Sequence, residues 1–230
     1  MSFTLYYARQ SCALSVHLAL EEFEVPYKAT LIKLRSGEHQ TPWFTQLNPA
    51  QRVPVFVTDR GVITETPAIL CYIQLYVHAR TGGSAIDDYE ICQINSLNSW
   101  LASTMHVAHA HRVRGERWAS DPAAIDEMSR HAVTNMEKCC AFIERHYVKE
   151  KFAIGDVYTV CDPYLFAMIF YAMNDGVELN NYPHLVSYWN RIASRPATRR
   201  ILSLHKISLD ILPDAGGKNI SGPMGDSGHE

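Results

Sequence analysis

The spacing of hydrophobic residues changes along the chain, from short strand-like runs at the start to helical periodicity later. FTLYYA at residues 3–8 is rich in aromatic and β-branched types and predicts a strand, and CALSVHLALEEF after it has apolar residues at helical spacing. Strands are also predicted at YKATLIKL, VPVFVTD and VIT, and helices at PWFTQL and at PAILCYIQLYVHA, which Pro67 opens. The first 80 residues or so therefore have the order β-α-β-α-β-β-α.

After a short polar segment, RTGGSAIDD, the remaining pattern is helical. Helices are predicted in five places: from Tyr89 to about Arg112, from Ala123 to about His146, and through Leu165, Leu185 and Ile201. Beyond Pro213 the segment DAGGKNISGPMGDSGHE has five glycines and almost no apolar residues, so we expect a mobile tail or a surface strap. The predicted division is an α/β domain at residues 1–80, a linker at 81–88, an all-helical domain at 89–212 and a tail at 213–230.

The composition of the chain limits the classes of partner that it can bind. The 230 residues are 47% hydrophobic, and 21 basic against 24 acidic side chains leave a formal charge of −3 with no basic stripe, so we expect no nucleic-acid partner. No apolar run approaches the roughly 20 residues that cross a bilayer, and the start lacks the pattern of a signal peptide, so we expect a cytoplasmic protein without membrane contact. The six cysteines form no CxxC pair and are expected to be free thiols, with no metal site.

Cys12 lies where the turn after the first predicted strand becomes a helix. The free N–H groups and the dipole at a helix start favour a thiolate, either that of Cys12 or one that is bound there. From the local sequence alone, a small residue packed in a turn is an equally good interpretation.

Two further segments have the chemistry of a peptide-binding site. In NPAQRVP, a cis Val53–Pro54 bond would turn the Val53 backbone outward to pair with an extended peptide, although spacing alone favours an ordinary turn before a strand. In TETPAIL, Thr66 is a predicted N-cap at a helix start that suits a carboxylate, and Glu65 beside it could hold an ammonium group. The pair suits an amino-acid zwitterion, but Thr66 could also simply cap its own helix.

The ordered combination of these motifs resembles the soluble glutathione transferases, and LYYARQSCALSVHLAL is similar to the bacterial beta class, whose motif has cysteine at the position of Cys12. The resemblance covers roughly residues 3–205. It implies a thioredoxin-like α/β domain followed by an all-α domain, with glutathione as co-substrate and no metal. It also implies that Val53, beside Pro54, binds the cysteinyl backbone of glutathione, and that Glu65 and Thr66 hold its γ-glutamyl end.

The resemblance implies further roles for single residues. Arg35 falls near a position where the family often has a basic residue for the glycyl carboxylate of glutathione. The beta-class pattern has a histidine at the position of His106, facing the glutathione sulfur and Cys12, and an asparagine where this chain has Ser99.

The helical pattern gives these positions a context. On a regular helix Asn95, Ser99 and His106 fall within about 40° of one another, so one polar face is predicted. His106, His109 and His111 do not share one face, and no metal site is expected from them. Three arginines and a tryptophan after this helix are interpreted as C-terminal cations and a solvated loop: Arg112, Arg114, Arg117 and Trp118. Thr159 and Asp162 have the spacing of a capping box, which supports the fold only.

The expected function is conjugation of the glutathione thiolate to hydrophobic electrophiles in a detoxifying, homodimeric transferase. Cys12 and His106 are the first candidates to activate sulfur, with Ser11 and Tyr6 as alternative hydroxyl donors. Two other functions stay open. One is glutathione-dependent thiol transfer, dehalogenation or ether cleavage through Cys12. The other is a non-catalytic module of the same fold that binds proteins.

Overall fold

The computed structural model describes residues 3–80 and 86–208, so part of the predicted linker and the whole predicted tail lie outside the described residues. Within the described residues the order of elements is the one that the hydrophobic pattern predicts. An α/β part comes first and an all-helical part follows, which confirms the predicted fold class. The exact domain boundaries stay predictions.

The N-terminal part is a four-stranded mixed sheet with three helices. Its elements are β1 (Phe3–Tyr7), α1 (Ala13–Glu22), β2 (Tyr27–Leu31), α2 (Pro42–Leu47), β3 (Val55–Thr58), β4 (Gly61–Thr64) and α3 (Thr66–Arg80). The strand order is β2-β1-β3-β4, with β1 and β2 parallel and the other pairs antiparallel. The second predicted strand is too long by three residues, because the chain turns after Leu31 into two short 3-10 turns, Leu34–Ser36 and Glu38–Gln40.

The helical part is built around one central helix. Its elements are α4 (Asp88–Trp100), α5 (His106–Val113), α6 (Pro122–His146), α7 (Cys161–Asp175), α8 (Pro183–Ala193) and α9 (Pro196–Leu204). Thirteen of the fifteen residues of α7 are buried, as expected of a helix that has neighbours on all sides. Helix α1 of the N-terminal part packs against both α7 and α9, so one hydrophobic core joins the two parts.

The long helix predicted from Tyr89 to Arg112 is interrupted by a π-helical segment, Leu101–Met105. A π turn holds about one residue more than an α turn, which rotates everything after it by about 100° relative to a regular helix. The predicted shared face of Asn95, Ser99 and His106 is therefore wrong. Asn95 donates to Cys71 Sγ at 3.6 Å on α3, and Ser99 is exposed.

The capping box that the sequence predicts from Thr159 and Asp162, at the start of α7, forms in part and is buried. The Asp162 carboxylate accepts the Thr159 N–H at 2.7 Å, as a capping box requires, and also the Ala153 N–H at 2.8 Å and the Tyr188 hydroxyl at 3.1 Å. Burial raises the pKa of Asp162 to about 6, against these hydrogen bonds, which lower it. The network ties α7 to the preceding loop and to α8.

In the described part of the chain, no helix combines the length and the apolar composition needed to cross a bilayer.

Candidate active site

A cavity of about 620 Å³ lies between the loops of the N-terminal part and the wall formed by α5, α7 and the turn after α5. Seven of the residues singled out from the sequence line it together: Ser11, Cys12, Val53, Pro54, Glu65, Thr66 and His106. They come from four separate segments of the chain. Tyr6, Arg35 and Ser99 are not among the lining residues.

Cys12 is half-buried immediately before α1, and its Sγ lies 3.6 Å from the Val53 carbonyl oxygen. Burial raises the pKa of the Cys12 thiol, whereas the Thr66 hydroxyl and the charge of Arg114 lower it. The raising effect dominates, so Cys12 is a neutral thiol at neutral pH. This differs from the thiolate that a helix start alone would favour.

The hydroxyl candidates from the sequence do not present a free proton to the cavity. Ser11 Oγ donates to the Ala8 carbonyl at 2.8 Å and accepts from the Ala13 N–H, so its proton is used within the loop. Tyr6 packs its ring against Trp43 and Phe44, away from the residues that line the cavity.

The Val53–Pro54 peptide bond is cis, which is the alternative that spacing alone did not favour. Within the described residues, Val53 makes no hydrogen bond to another backbone group, and β3 begins only at Val55. The Val53 backbone therefore lies at the cavity with its N–H available to an extended peptide.

Helix α3 begins at Thr66, one residue earlier than an N-cap role for Thr66 would require, and Glu65 stands at the cap position. The Glu65 backbone is left-handed, with φ of 68°. Both residues line the cavity, so a carboxylate acceptor and the free N–H groups of a helix start lie side by side.

Three of the six non-glycine residues with left-handed backbone in the described part of the chain lie at this cavity. Gln10, Gln51 and Glu65 have φ of 55°, 55° and 68°, and all three line the cavity from different loops. Such residues cost about 1 kcal/mol or more each when they are not glycine, and they cluster at ligand sites. The three loops are therefore held in conformations that their local sequence does not favour.

His106 lies on the helical wall of the cavity. Burial above all, together with the charge of Arg114 and the neighbouring His109, lowers its pKa to about 3. The imidazole is therefore neutral at neutral pH and can donate a hydrogen bond from one ring nitrogen and accept one at the other.

A chain of contacts that the sequence did not reveal runs behind His106. His109 Nδ1 lies 2.9 Å from Oδ2 of the buried Asp175, which also faces Arg112 at 3.5 Å. The His109 ring stacks on Tyr171 with centroids 4.1 Å apart, and the Tyr171 hydroxyl donates to the Gln10 carbonyl at 3.1 Å. This chain connects the end of α7 to the loop that carries Cys12, and only the fold brings its members together.

Tyr164, in the first turn of α7, is a second residue that the sequence analysis missed. It lines the cavity and its hydroxyl makes no hydrogen bond within the described residues. Burial raises its pKa well above the ordinary value, and the Glu65 carboxylate raises it further, so a neutral hydroxyl lies near both Glu65 and Cys12. The signal in the sequence that could have indicated Tyr164 is its position two residues after Asp162, in the capping box at the start of α7.

The basic residues that line the cavity differ from the one that the sequence predicts. Arg35 lies outside it, whereas the cavity is lined by Arg9, Arg52, Arg114 and Arg117, and by His39 in the second of the two 3-10 turns. The loop arginines after α5, interpreted from the sequence as solvated cations, therefore belong to the cavity wall. Residues 3–80 and 86–208 contain no cluster of three or more side chains suited to hold a metal ion.

Comparison with known proteins gives consistent matches over both parts of the chain. Residues 1–74 match the family model described as glutathione S-transferase, N-terminal domain, and residues 118–200 match that of the C-terminal domain. The glutathione S-transferase GST-4.5 of Xanthomonas campestris is 24% identical over 188 residues, which cover 82% of this chain and 91% of that protein.

Solved structures are similar over nearly the whole length. A glutathione transferase homologue from Sulfitobacter, solved with bound glutathione, has a TM-score of 0.82 and 29% identity, covering 88% of this chain and 98% of that one. A bacterial beta-class glutathione S-transferase of Sphingomonas chungbukensis has a TM-score of 0.74 and 26% identity, covering 89% and 100%.

Proposed function

This chain belongs to the glutathione S-transferase family and is an enzyme of glutathione conjugation, and we propose that the cavity beside Cys12 binds glutathione and directs its sulfur at a hydrophobic electrophile. The observation that carries the proposal is the meeting of Val53, Glu65, Thr66 and Cys12 in one cavity with the helical wall at His106. Each of these groups matches one part of the tripeptide.

The proposed pose of glutathione is extended. The Val53 backbone pairs with the cysteinyl unit, the start of α3 at Thr66 takes the γ-glutamyl carboxylate, and Glu65 takes the ammonium group. The glycyl carboxylate then points towards Arg52, which precedes Val53 and lines the same cavity, rather than towards Arg35. Ser99, exposed on α4, has no part in this pose within one chain.

The sulfur lies between the Cys12 thiol and the Tyr164 hydroxyl in this proposal. The neutral Tyr164 hydroxyl can donate a hydrogen bond to a glutathione thiolate, and the neutral Cys12 thiol can do so by turning its proton away from the Val53 carbonyl, which it contacts at 3.6 Å. The nearby charge of Arg114 stabilises the same anion. The thiol proton passes to water, because an imidazole whose pKa is about 3 is too weak a base to take it at neutral pH. With an aryl halide, the C–S bond forms, the C–halogen bond breaks, and the halide leaves with the bonding electrons.

The electrophile lies against the helical wall in this proposal. Ala102, Val107, Ala110 and Trp118 supply apolar surface there, opposite the loops that hold glutathione. Thiol transfer through Cys12 itself is less well supported, because a thiol needs to ionise to be a nucleophile and burial opposes that ionisation.

The test is the rate of glutathione conjugation to chlorodinitrobenzene by the intact protein, by Cys12→Ala, and by Cys92→Ala as a control at an exposed cysteine outside the cavity. Glutathione binding is measured on the same proteins by calorimetry. We expect conjugation by the intact protein, a loss of about tenfold in kcat/KM for Cys12→Ala, and no change for the control.

Other results separate the alternatives. If Cys12→Ala keeps its rate, Cys12 is only a wall residue and sulfur activation rests on Tyr164 and His106. Binding of glutathione without conjugation by the intact protein, together with a mixed disulfide on Cys12 by mass spectrometry, supports thiol transfer. No binding at all contradicts the proposal and supports a non-catalytic module.

We also propose a cytoplasmic homodimer with the predicted domain division. All six cysteines are free thiols, as in a reducing compartment. Leu75 on α3 and Tyr89 on α4 are apolar and exposed on two helices that pack together, which suits a subunit interface. Sedimentation equilibrium tests the dimer, and a monomer mass at all concentrations would contradict it.

A further inference from the structure

Three arginines lie close together at the cavity. Arg114 is half-buried and Arg117 exposed in the turn after α5, and Arg52 is exposed in the loop before β3. Burial lowers the pKa of Arg117, and the charges of Arg114 and Arg52 lower it further against the neighbouring Glu116, so Arg114 and Arg52 both repel Arg117. The same three charges act on His106.

These arginines have no carboxylate partner within the described residues. Four other arginines do have one: Arg112 with Asp175, Arg130 with Glu127, Arg195 with Glu22 and Arg200 with Glu21. Arg114 Nε is buried and has no hydrogen-bond partner. A buried, unpartnered donor beside like charges is unfavourable unless an anion binds there.

The turn that carries two of them is firmly placed. Gly115 packs against α6 so closely that a Cβ there would come within 3.0 Å of Ile125 Cγ2. The Trp118 N–H donates to the Gly115 carbonyl at 2.9 Å, which closes the turn. Arg114, Arg117 and Trp118 are thus presented to the cavity by a packed element rather than by a loose loop.

Glutathione cannot neutralise all three arginines. In the pose proposed above, its γ-glutamyl carboxylate lies at the start of α3 and its glycyl carboxylate needs one cation, for which Arg52 is placed beside Val53. Arg114 then acts only on the glutathione thiolate and Arg117 has no anion, so neither has a carboxylate. Both line the cavity with His106 and Trp118, where the electrophile is expected.

We propose that the second substrate is an electrophile with a carboxylate group, held by Arg114 and Arg117 while its apolar part lies against Trp118. The inference rests on the proposed function and narrows its substrate class from hydrophobic electrophiles in general to anionic ones. The carboxylate anchors the substrate, and the electrophilic carbon is left to face the glutathione sulfur.

The test compares a chlorodinitrobenzoic acid, as its carboxylate, with its methyl ester as conjugation substrates at saturating glutathione. Each enzymatic kcat/KM is divided by the uncatalysed rate constant for the same compound, which removes the difference in ring reactivity. We expect the intact protein to prefer the carboxylate by about tenfold or more, and to lose part of this preference at high salt.

The variants are Arg114→Gln, Arg117→Gln and the double variant, with Arg60→Gln as the control at an exposed arginine of the β3–β4 turn outside the cavity. The preference should fall in each single variant and approach unity in the double variant, and the control should keep it. The ratio of the carboxylate rate to the ester rate is the readout, because Arg114 also acts on the glutathione thiolate and its loss lowers both rates together.

Two results would overturn the inference. One is an intact protein whose normalised kcat/KM for the ester equals that for the carboxylate. This result leaves the proposed function standing. The other is a preference that survives in the double variant, which locates the anion site elsewhere. Failure to conjugate either compound or chlorodinitrobenzene itself is the failure of the proposed function, and the inference falls with it.

Discussion

Around the cavity, single residues differ mainly in what burial does to their protons. The Cys12 thiol and the Tyr164 hydroxyl stay protonated because burial disfavours their anions, and His106 stays neutral because burial disfavours its cation. The site therefore holds neutral donors and a neutral imidazole next to arginines without a carboxylate partner. A bound thiolate is the anion that this arrangement favours.

Tyr164→Phe tests the residue that the sequence did not single out. Removal of one donor to the sulfur should raise the pKa of bound glutathione and lower kcat/KM for chlorodinitrobenzene by about tenfold to a hundredfold. The pH dependence of kcat/KM measures both effects. Tyr6→Phe is the matched control, because Tyr6 packs on Trp43 and Phe44 outside the cavity. An unchanged pH profile in Tyr164→Phe would rule out hydrogen bonding from this hydroxyl to the sulfur.

At the scale of elements, two features decide where side chains point. The π-helical segment between α4 and α5 rotates His106 onto the cavity wall and leaves Ser99 exposed. The buried network of Asp162 holds the start of α7, and with it the position of Tyr164 two residues later. The chemistry of the cavity thus depends on the geometry of helix ends and interruptions.

Replacing Asp162 should destabilise the fold far more than replacing an exposed cap. Asp162→Ala leaves the buried Ala153 and Thr159 N–H groups without their acceptor, whereas the Tyr188 hydroxyl keeps the Asp162 backbone carbonyl at 3.0 Å, so we expect a loss of about 3 kcal/mol. Asp121→Ala, at the exposed N-cap of α6, should cost about 1 kcal/mol. Urea denaturation of both variants measures the difference, and equal losses would contradict a special role for the α7 network.

At the scale of the whole molecule, the end of the helical part packs against the first helix, α1. His17 of α1 and His205 after α9 are both buried, with His17 Nδ1 3.1 Å from His205 Nε2. His205 Nδ1 accepts the Gln10 N–H at 3.2 Å, so the pair also contacts the loop that carries Cys12. Burial lowers the pKa of His17 to about 4 and that of His205 to about 3.

This pair predicts a loss of stability in acid. Both histidines bind a proton near pH 6.5 when unfolded but only near pH 4 and 3 when folded, so stability is complete above about 6.5 and falls as the pH drops below it. Each contributes a slope of about 1.4 kcal/mol per pH unit. Asp162 has the opposite effect on stability. Its pKa is 3.8 in the unfolded chain and about 6 in the folded protein, so its protonation stabilises the fold as the pH drops from about 6 to 3.8 and offsets part of this loss.

His205→Gln isolates the effect, since the amide can replace both hydrogen bonds without titrating. The variant should lose about 1.4 kcal/mol less free energy of unfolding per pH unit below pH 6.5. His131→Gln, at an exposed position of α6, is the control and should follow the intact protein. Urea denaturation at several pH values provides the slopes, and parallel slopes for all three proteins would show that His205 does not titrate on unfolding.

Much of the fold could be predicted because local patterns are strong where burial is periodic. The strands, α1, α2, α3 and the helices of the second part lie within a few residues of their predicted positions. Of the site, the residues next to element ends were found, because helix starts and the Val-Pro turn carry local signals. Arg114, Arg117, Tyr164 and Asp175 were missed as site residues, since each acquires its role from a neighbour distant in the chain.

By itself the sequence determined the order of elements, the two-part architecture and the family, because hydrophobic period, turn residues and caps act over a few residues. Only the tertiary structure decided the ionisation of Cys12 and His106, the unpaired charge of Arg114 and Arg117, and the rotation of α5 by the π segment. These depend on burial and on charges brought close by packing. Such distances are set when the chain folds back on itself, and no local pattern records them.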